Sequence, residues 1–521
     1  MATGIVLGGG GTLGDFQVGA LKYLYEKGIL PNIACVCGTS IGAINAAIVA
    51  TGEGCDAKLE KYWVKDVKTR VDLIPQHEWS ENIAPVLNTI VDGSAGSWVS
   101  ATTKLIRASG EDALADVWSG IRDLKKMFSC VRNKRALYSP ELLEEKMRDD
   151  FQDVEAALKS KIALRMYATN LGTGAQTCFY NTSCDTDLNE ANKGKKVNIL
   201  CESKEKLIKA ALASAAIPVI FPPVEVDDNW YVDGSMREVV PVQGAIDCGA
   251  SIIYAILCFP RLTQSGEDGI IDSQTEDFST SSLFDIRTDD FGTSEKDWSS
   301  GGASDVLDIA NRTAAIVLDQ ITSGDLKATS RRNPPATLTV IAPLIPVHGM
   351  AELNKGLLTI NTDQGYMRAF DEVDAPDKRR DRCRQLTGEI TSRRVAIWKN
   401  EHELIRQWAE TEDSPSEGFF PLPRFHVRRI IRDWLDTGRV NTGILHTIRQ
   451  QKRELKPFVL ERLKIAGSPH ALPDNYEDMY LKWEPHDLKY EMRDIPLPPS
   501  PWDRLDLGCN GSEVILNEAP P

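Results

Sequence analysis

The chain has 521 residues, 42% of them apolar, a formal charge of −15 and 11 cysteines, enough length for one large domain and a smaller one, each with a buried core. So acidic a chain is excluded as a general nucleic-acid binder, because a phosphate backbone demands a basic face. The cysteines are odd in number and include no CxxC pair, which speaks against a disulfide framework and for a reducing, cytoplasmic compartment.

No basic stretch followed by an apolar one opens the chain, so no secretory leader is expected. Gly4 to Leu7 reads as a short apolar strand, Gly8 to Gly11 break it, and Leu13, Phe16, Ala20, Leu21 and Leu24 then recur at helical spacing. Gly28 suits a helix C-terminal cap. Ile33 to Cys37 form a second strand that runs into Gly38-Thr39-Ser40-Ile41-Gly42 and another helix. Strand, glycine loop, helix, strand, turn, helix is the grammar of an α/β fold with a parallel sheet. Gly28 to Gly52 carries no charge and is long enough to span a membrane. Pro31, Asn32, Asn45 and several glycines interrupt it, however, and its halves read better as a buried strand and a helix.

From about 58 to 153 the pattern is mostly helical and predicts an inserted cap. Ile162 to Leu171 returns to strand character, Leu207 to Ala216 reads as an apolar-faced helix, Tyr231-Val232 as a short strand leading to Asp233, and Ile252 to Phe259 as a buried strand. Residues 264–304 are rich in Ser, Thr, Asp and Gly and predict a mobile loop, having too few large apolar side chains to order it. A helix at Val306 to Ile321, a strand at Thr337 to Ile345 and a helix around Tyr366 to Val373 would complete a domain of residues 1–375. After Pro376 the composition changes: between Asp377 and Lys464, 20 Lys and Arg stand against 13 acidic residues, which predicts a separate, locally basic helical module. The proline-rich end, Ser468 to Pro521, reads as an irregular wrap or tail, and residues 376–521 together as a C-terminal extension.

Gly38-Thr39-Ser40-Ile41-Gly42 matches G-x-S-x-G between a strand and a helix, where the glycines permit a sharp turn that exposes the serine Oγ. Taken alone the match is weak, and a glycine-rich packing turn is its plain alternative. Gly9 to Gly14 also fits the G-x-G-x-x-G of a dinucleotide site, but the second strand ends in Gly38-Thr39-Ser40 and offers no acid for a ribose hydroxyl. No Gly-Lys-Ser/Thr follows the loop, which excludes a P-loop. The same loop serves another purpose, since bare N–H groups at a helix start stabilise an oxyanion, and this nominates Gly9, Gly10 and Gly11 as an oxyanion hole. The serine needs a base. Of the seven histidines, His348 alone is placed to serve in a triad. Asp233 is the better candidate, at a strand end and ahead of Gly234, where ligand and catalytic groups gather in open α/β sheets. An Asp-Gly pair that merely caps a turn is the alternative.

Together these segments resemble the patatin-like phospholipase family. Leu7 to Leu21 is similar to its oxyanion-hole segment, Gly38 to Gly42 to its nucleophile elbow, and Asp233-Gly234-Ser235 to its catalytic Asp-Gly pair. Tyr138-Ser139-Pro140, Ala168-Thr169-Asn170 and Ala213 to Pro218 running into Phe221-Pro222-Pro223 add to the likeness, which covers roughly residues 4–375. Leu13 stands where many members have Arg or Lys, and Ser235 where Gly or Ala is usual. The resemblance implies a three-layer α/β fold with a mainly parallel central sheet, and a Ser40–Asp233 dyad that cleaves fatty acyl esters through an acyl-enzyme. The substrate would be a lipid or phospholipid met at a membrane surface by a peripheral approach, with no metal and no cofactor. Ile217 to Val224 reads as an acyl groove or a plain core segment, and the basic helices as a surface for anionic headgroups or, more commonly, a solvated or partner-binding face. Two rival classes are a lipase switched on by an activator ligand or protein partner, and a non-catalytic membrane-associated scaffold. Oligomeric state is left open.

Overall fold

A computed structural model of the chain describes residues 2–65, 144, 148, 154–183, 196–218, 221–261, 317–328, 335–349, 355–409 and 442–473. Most of the insertion predicted at 58–153, the loop predicted at 264–304, the start of the helix predicted from Val306 and the tail beyond 473 lie outside the described residues.

Among the described residues the core is one mixed, mostly parallel sheet of nine strands. Strand β1 (Thr3–Leu7) lies between β2 (Cys35–Thr39) and β8 (Ile252–Ile256), and β9 (Thr337–Ile341) follows β8, all parallel. On the far side of β2 comes β3 (Ala163–Asn170), parallel to it, then β4 (Gln176–Tyr180), antiparallel to β3, and β5 (Lys196–Leu200), parallel to β4. A hairpin of β6 (Val224–Val226) and β7 (Asn229–Asp233) joins through β7, which pairs antiparallel with β3. Asp227 and Asp228 both take positive φ, 49° and 59°, as the tight two-residue turn of a hairpin requires.

Alternation along the strands sets the layers. Ile5, Leu7 and Val36 face one side and Val6, Cys35 and Cys37 the other, and both faces are buried, so these strands read as continuous apolar runs. The first face is covered by α1 (Gly14–Glu26), α2 (Ile41–Val49), α3 (Cys55–Glu60), α4 (Val154–Lys159) and α5 (Lys204–Ser214). In α5, Ser203 caps the N-terminus by accepting from the Lys206 N–H at 3.2 Å. The second face is covered by α6 (Val242–Asp247) and a helix at 317–326, through Val242, Ala245, Leu318 and Ile321. The uncharged stretch that resembled a span is β2 followed by α2, and among the described residues no helix is long and apolar enough to cross a membrane.

Three further helices follow among the described residues, α7 (Lys355–Val373), α8 (Arg380–Ala409) and α9 (Thr442–Ala466). Helix α7 crosses α1 at two glycines: a Cβ on Gly19 would run into the Thr362 carbonyl, and one on Gly365 into that of Phe16. Ala375, Cys383, Ala466 and Ala471 join the same apolar cluster as Ile5 and Phe16, so the C-terminal helices share the core. Part of the basic surplus is paired inside the core, Arg394 with Asp363 and Arg462 with Asp371, while Arg384 with Glu372 is half-buried and Arg382 with Glu461 is more exposed. We expect Gly19→Ala to lower stability by about 2–3 kcal/mol, because backbone is met at the contact and the helices must separate. A melting curve that matches wild type would contradict this close crossing.

Candidate active site

Strand β3 brings the serine and the aspartate together. On one edge it pairs with β2 as far as Thr39 opposite Tyr167, and the next position, Ala168, is opposite Asp233 of the incoming β7. The carboxyl ends of β2 and β7 therefore meet head-on along a single edge, where the chain after Thr39 turns into α2 and leaves Ser40 at the junction.

Ser40 takes φ 56° and ψ −128°, a conformation that costs a non-glycine residue about 1–3 kcal/mol and tends to be held at functional sites. The turn is tight. A Cβ on Gly38 would strike the Gly42 carbonyl, and one on Gly42 the Leu7 carbonyl. The Ser40 N–H donates to Ser214 Oγ at 2.9 Å, and Ser214 donates in turn to the Tyr167 carbonyl at 2.5 Å, so the end of α5 fixes the elbow to β3. Ser40 Oγ donates to Asp233 Oδ2 at 2.6 Å.

Asp233 is held from four directions. Its Oδ1 accepts from the Ser235 N–H at 2.7 Å, its carbonyl from Thr169 Oγ1 at 3.1 Å, and its own N–H donates to the Ala216 carbonyl at 2.9 Å, the bond to Ser40 being the fourth. Ser40 is 3% and Asp233 1% exposed. Burial pushes the Asp233 carboxyl up to about 6, against the opposing pull of its bonds from Ser40 and Ser235. A carboxylate so placed accepts a proton near neutral pH, as a general base must.

The glycine loop lies beside this pair: a Cβ on Gly9 would collide with Ser235 Oγ and come within 3.1 Å of Ser40 Cβ. Its amides have different fates. The Gly9 N–H donates to the Val239 carbonyl at 3.0 Å, whereas for the N–H groups of Gly10 and Gly11 no acceptor is found among the described residues. Asp325 Oδ2 accepts from the N–H groups of Val239 and Val240 at 2.9 and 3.0 Å and so holds the segment that anchors Gly9. Behind the loop, Gln17 donates to the Gly8 carbonyl at 2.8 Å and accepts from Asn45, whose Oδ1 accepts from Trp63.

His348 does not join Ser40. Its Nε2 lies 2.9 Å from Asp15 Oδ2 and its Nδ1 3.0 Å from the Gly349 carbonyl, with both side chains fully buried, and Asn361 donates to Asp15 Oδ1 at 2.7 Å. The pair secures the first turn of α1. Ser214, Thr169, Asp15 and Gln17 all fall inside segments that carried the family likeness, though nothing in their spacing announced their partners. Asp325 and Val239 carried no signal at all.

Residues 5–246 match the family model described as patatin-like phospholipase. A stretch of 72 residues is 38% identical to triacylglycerol lipase ptl3 of Schizosaccharomyces pombe, covering 13% of this chain and 14% of that protein. Among solved structures, VipD from Legionella pneumophila aligns over 91% of this chain and 88% of its own at 13% identity and a TM-score of 0.26. ExoU in complex with SpcU, from Pseudomonas aeruginosa, aligns over 92% and 84% at 13% identity and a TM-score of 0.18. Likenesses this loose carry no inference.

Proposed function

Residues 5–246 belong to the patatin-like phospholipase family, and from that premise we propose that the chain is a serine lipid acyl hydrolase in which Ser40 is the nucleophile and Asp233 its base. The observation that carries the reading is the 2.6 Å bond from Ser40 Oγ to the buried Asp233 carboxylate. Asp233 takes the hydroxyl proton as Oγ attacks an ester carbonyl, and the oxyanion meets the N–H groups of Gly10 and Gly11. Gly9, its own N–H engaged by Val239, contributes close approach instead. As the tetrahedral species collapses, the departing alcohol takes the proton from Asp233 and leaves an acyl-enzyme. Water, deprotonated by the same carboxylate, then releases the fatty acid. The N-terminus of α2 supplies a positive dipole end beside Ser40.

A cavity of about 230 Å³ is lined by the apolar Leu212, Ala215, Ala216, Phe221 and Trp230 together with the charged Glu144, Lys209 and Glu225. Its lining residues Ala215 and Ala216 directly follow Ser214, which binds the Ser40 backbone, and this nearness in the chain supports the Ile217 to Val224 region as the start of an acyl groove. We assign the hydrolase to about residues 1–375 and the rest to a helical extension that braces α7. The approach to lipid is peripheral, in a cytoplasmic setting. Phospholipid is the first substrate to test. Triacylglycerol is the second, because the curated relative carries that name although the match spans a small part of it.

The test is fatty-acid release from phospholipid vesicles and triacylglycerol emulsions as a function of pH. Because burial raises the Asp233 carboxyl to about 6, the base is protonated below that value. Activity is therefore expected to be half-maximal near pH 6, lost below and level above. A profile that does not change through pH 6 would remove Asp233 as the base.

A further inference from the structure

On the face of the sheet away from α1, β2 directs Cys35 and Cys37 to the same side, both fully buried, as positions two apart on a strand must be. Cys248, at the C-terminal end of α6, reaches the same spot, and the three Sγ atoms all lie within 4.8 Å of one another. Cys37 is opposite Arg165 of β3. Arg165 is 3% exposed, its Nε has no hydrogen-bond partner, and its nearest carboxylate, Asp247, stands 3.6 Å away. A buried guanidinium thus borders a triangle of three thiols.

We propose that Cys35, Cys37 and Cys248 form a zinc site, with Arg165 as its charge partner. Three thiolates around zinc sit about 3.8 Å apart, given a Zn–S distance near 2.3 Å and tetrahedral angles, so an approach of about 1 Å, within the reach of side-chain rotation, closes the set. Sulfur donors select zinc over magnesium or calcium, which take oxygen. Coordination replaces three S–H bonds with three Zn–S bonds and releases three protons to solvent. The product, three thiolates and one Zn²⁺, carries a net charge of −1, which the Arg165 guanidinium balances inside the core. Water fills the fourth position on the side of Cys248, the one partly exposed member. The site ties α6 to the strand that carries Ser40 three residues beyond Cys37, and its role is structural. It stands independently of the hydrolase reading, which needs no metal.

The test uses the full chain, reduced, stripped with chelator and titrated with Co²⁺ and then Zn²⁺. We expect one equivalent of Co²⁺ to give thiolate-to-metal charge-transfer absorbance, Zn²⁺ to displace it, and Zn²⁺ to raise the melting temperature. Cys248→Ser, at the most exposed ligand and so the mildest change to the core, is expected to weaken Co²⁺ binding at least about tenfold. Cys55→Ser, at a buried cysteine on α3 outside the triangle, should leave it unchanged. Absence of the charge-transfer band, or equal uptake by Cys248→Ser, overturns the proposal. So does a protein that takes up no metal but forms a Cys37–Cys248 disulfide with peroxide, which would make the cluster a redox pair.

Discussion

Ser40→Ala is expected to reduce fatty-acid release by about 10,000-fold or more, and Asp233→Asn by a comparable factor, with the double variant no worse than either single one. In the proposed reaction the two groups act as a unit: without Oγ there is no nucleophile, and without the carboxylate nothing accepts its proton at 2.6 Å. An asparagine keeps an acceptor for the Ser235 N–H but cannot take a proton from Ser40. Stability should move differently. The carboxyl rises from 3.8 to about 6 on folding, so its contribution to stability is full below its ordinary value and is lost as pH rises to about 6. At neutral pH Asp233 therefore costs stability, and Asp233→Asn is expected to melt no lower than wild type while losing activity. Release by Ser40→Ala at the wild-type rate would sink the dyad. Activity of the wild type that appears only with an added ligand or protein would favour the switched effector over the constitutive enzyme. If neither vesicles nor emulsions yield fatty acid under any of these conditions, the scaffold reading stands.

Arg462→Met is expected to cost about 3–5 kcal/mol of unfolding free energy, the usual penalty for removing one partner of a buried ion pair and stranding the other. Arg462 is fully buried on α9. It donates to the carbonyls of Ala471 and Cys383 at 2.8 Å and of Met367 at 3.0 Å, to Thr387 Oγ1 at 2.8 Å, and to Asp371 Oδ1 at 2.8 Å. One guanidinium thus joins α7, α8, α9 and the turn that follows. Its loss leaves the Asp371 carboxylate in the core with Thr387 and a longer contact to Arg368 at 3.3 Å. Denaturant unfolding measures the effect. A wild-type midpoint would mean that the C-terminal helices do not brace α7, and with it α1 and the glycine loop.

The glycine loop, the elbow and the Asp-Gly pair were all legible because each states a local requirement. Close approach at Gly9 and the sharp turn between Gly38 and Gly42 exclude side chains whatever the rest of the chain does. The strands of the parallel core were legible in the same way, as apolar runs between glycine breaks. Strands β4, β5 and β6 were not, because their alternation is short and their partners are distant or antiparallel. The basic surplus of residues 377–464 favoured an outward-facing reading, since composition counts charges without saying which are paired. Burial of Arg394 and Arg462 against Asp363 and Asp371 turns part of that surplus into core structure. The same blindness applies to His348, whose place after a late strand suited a catalytic base, while packing gives it to Asp15.

By itself the sequence determined the parallel α/β core and the identity of a serine, an aspartate and a glycine loop as the groups to watch, because backbone sterics and strand periodicity act over a few residues. Tertiary structure alone decided their relations. The antiparallel return of β7 along β3 brings Asp233 to a serine 193 positions earlier, Val239 removes Gly9 from the free amides, and Arg462 locks the terminal helices to the core. Each of these contacts depends on strand register and helix docking, which are set by how the whole core packs and by no short stretch of residues.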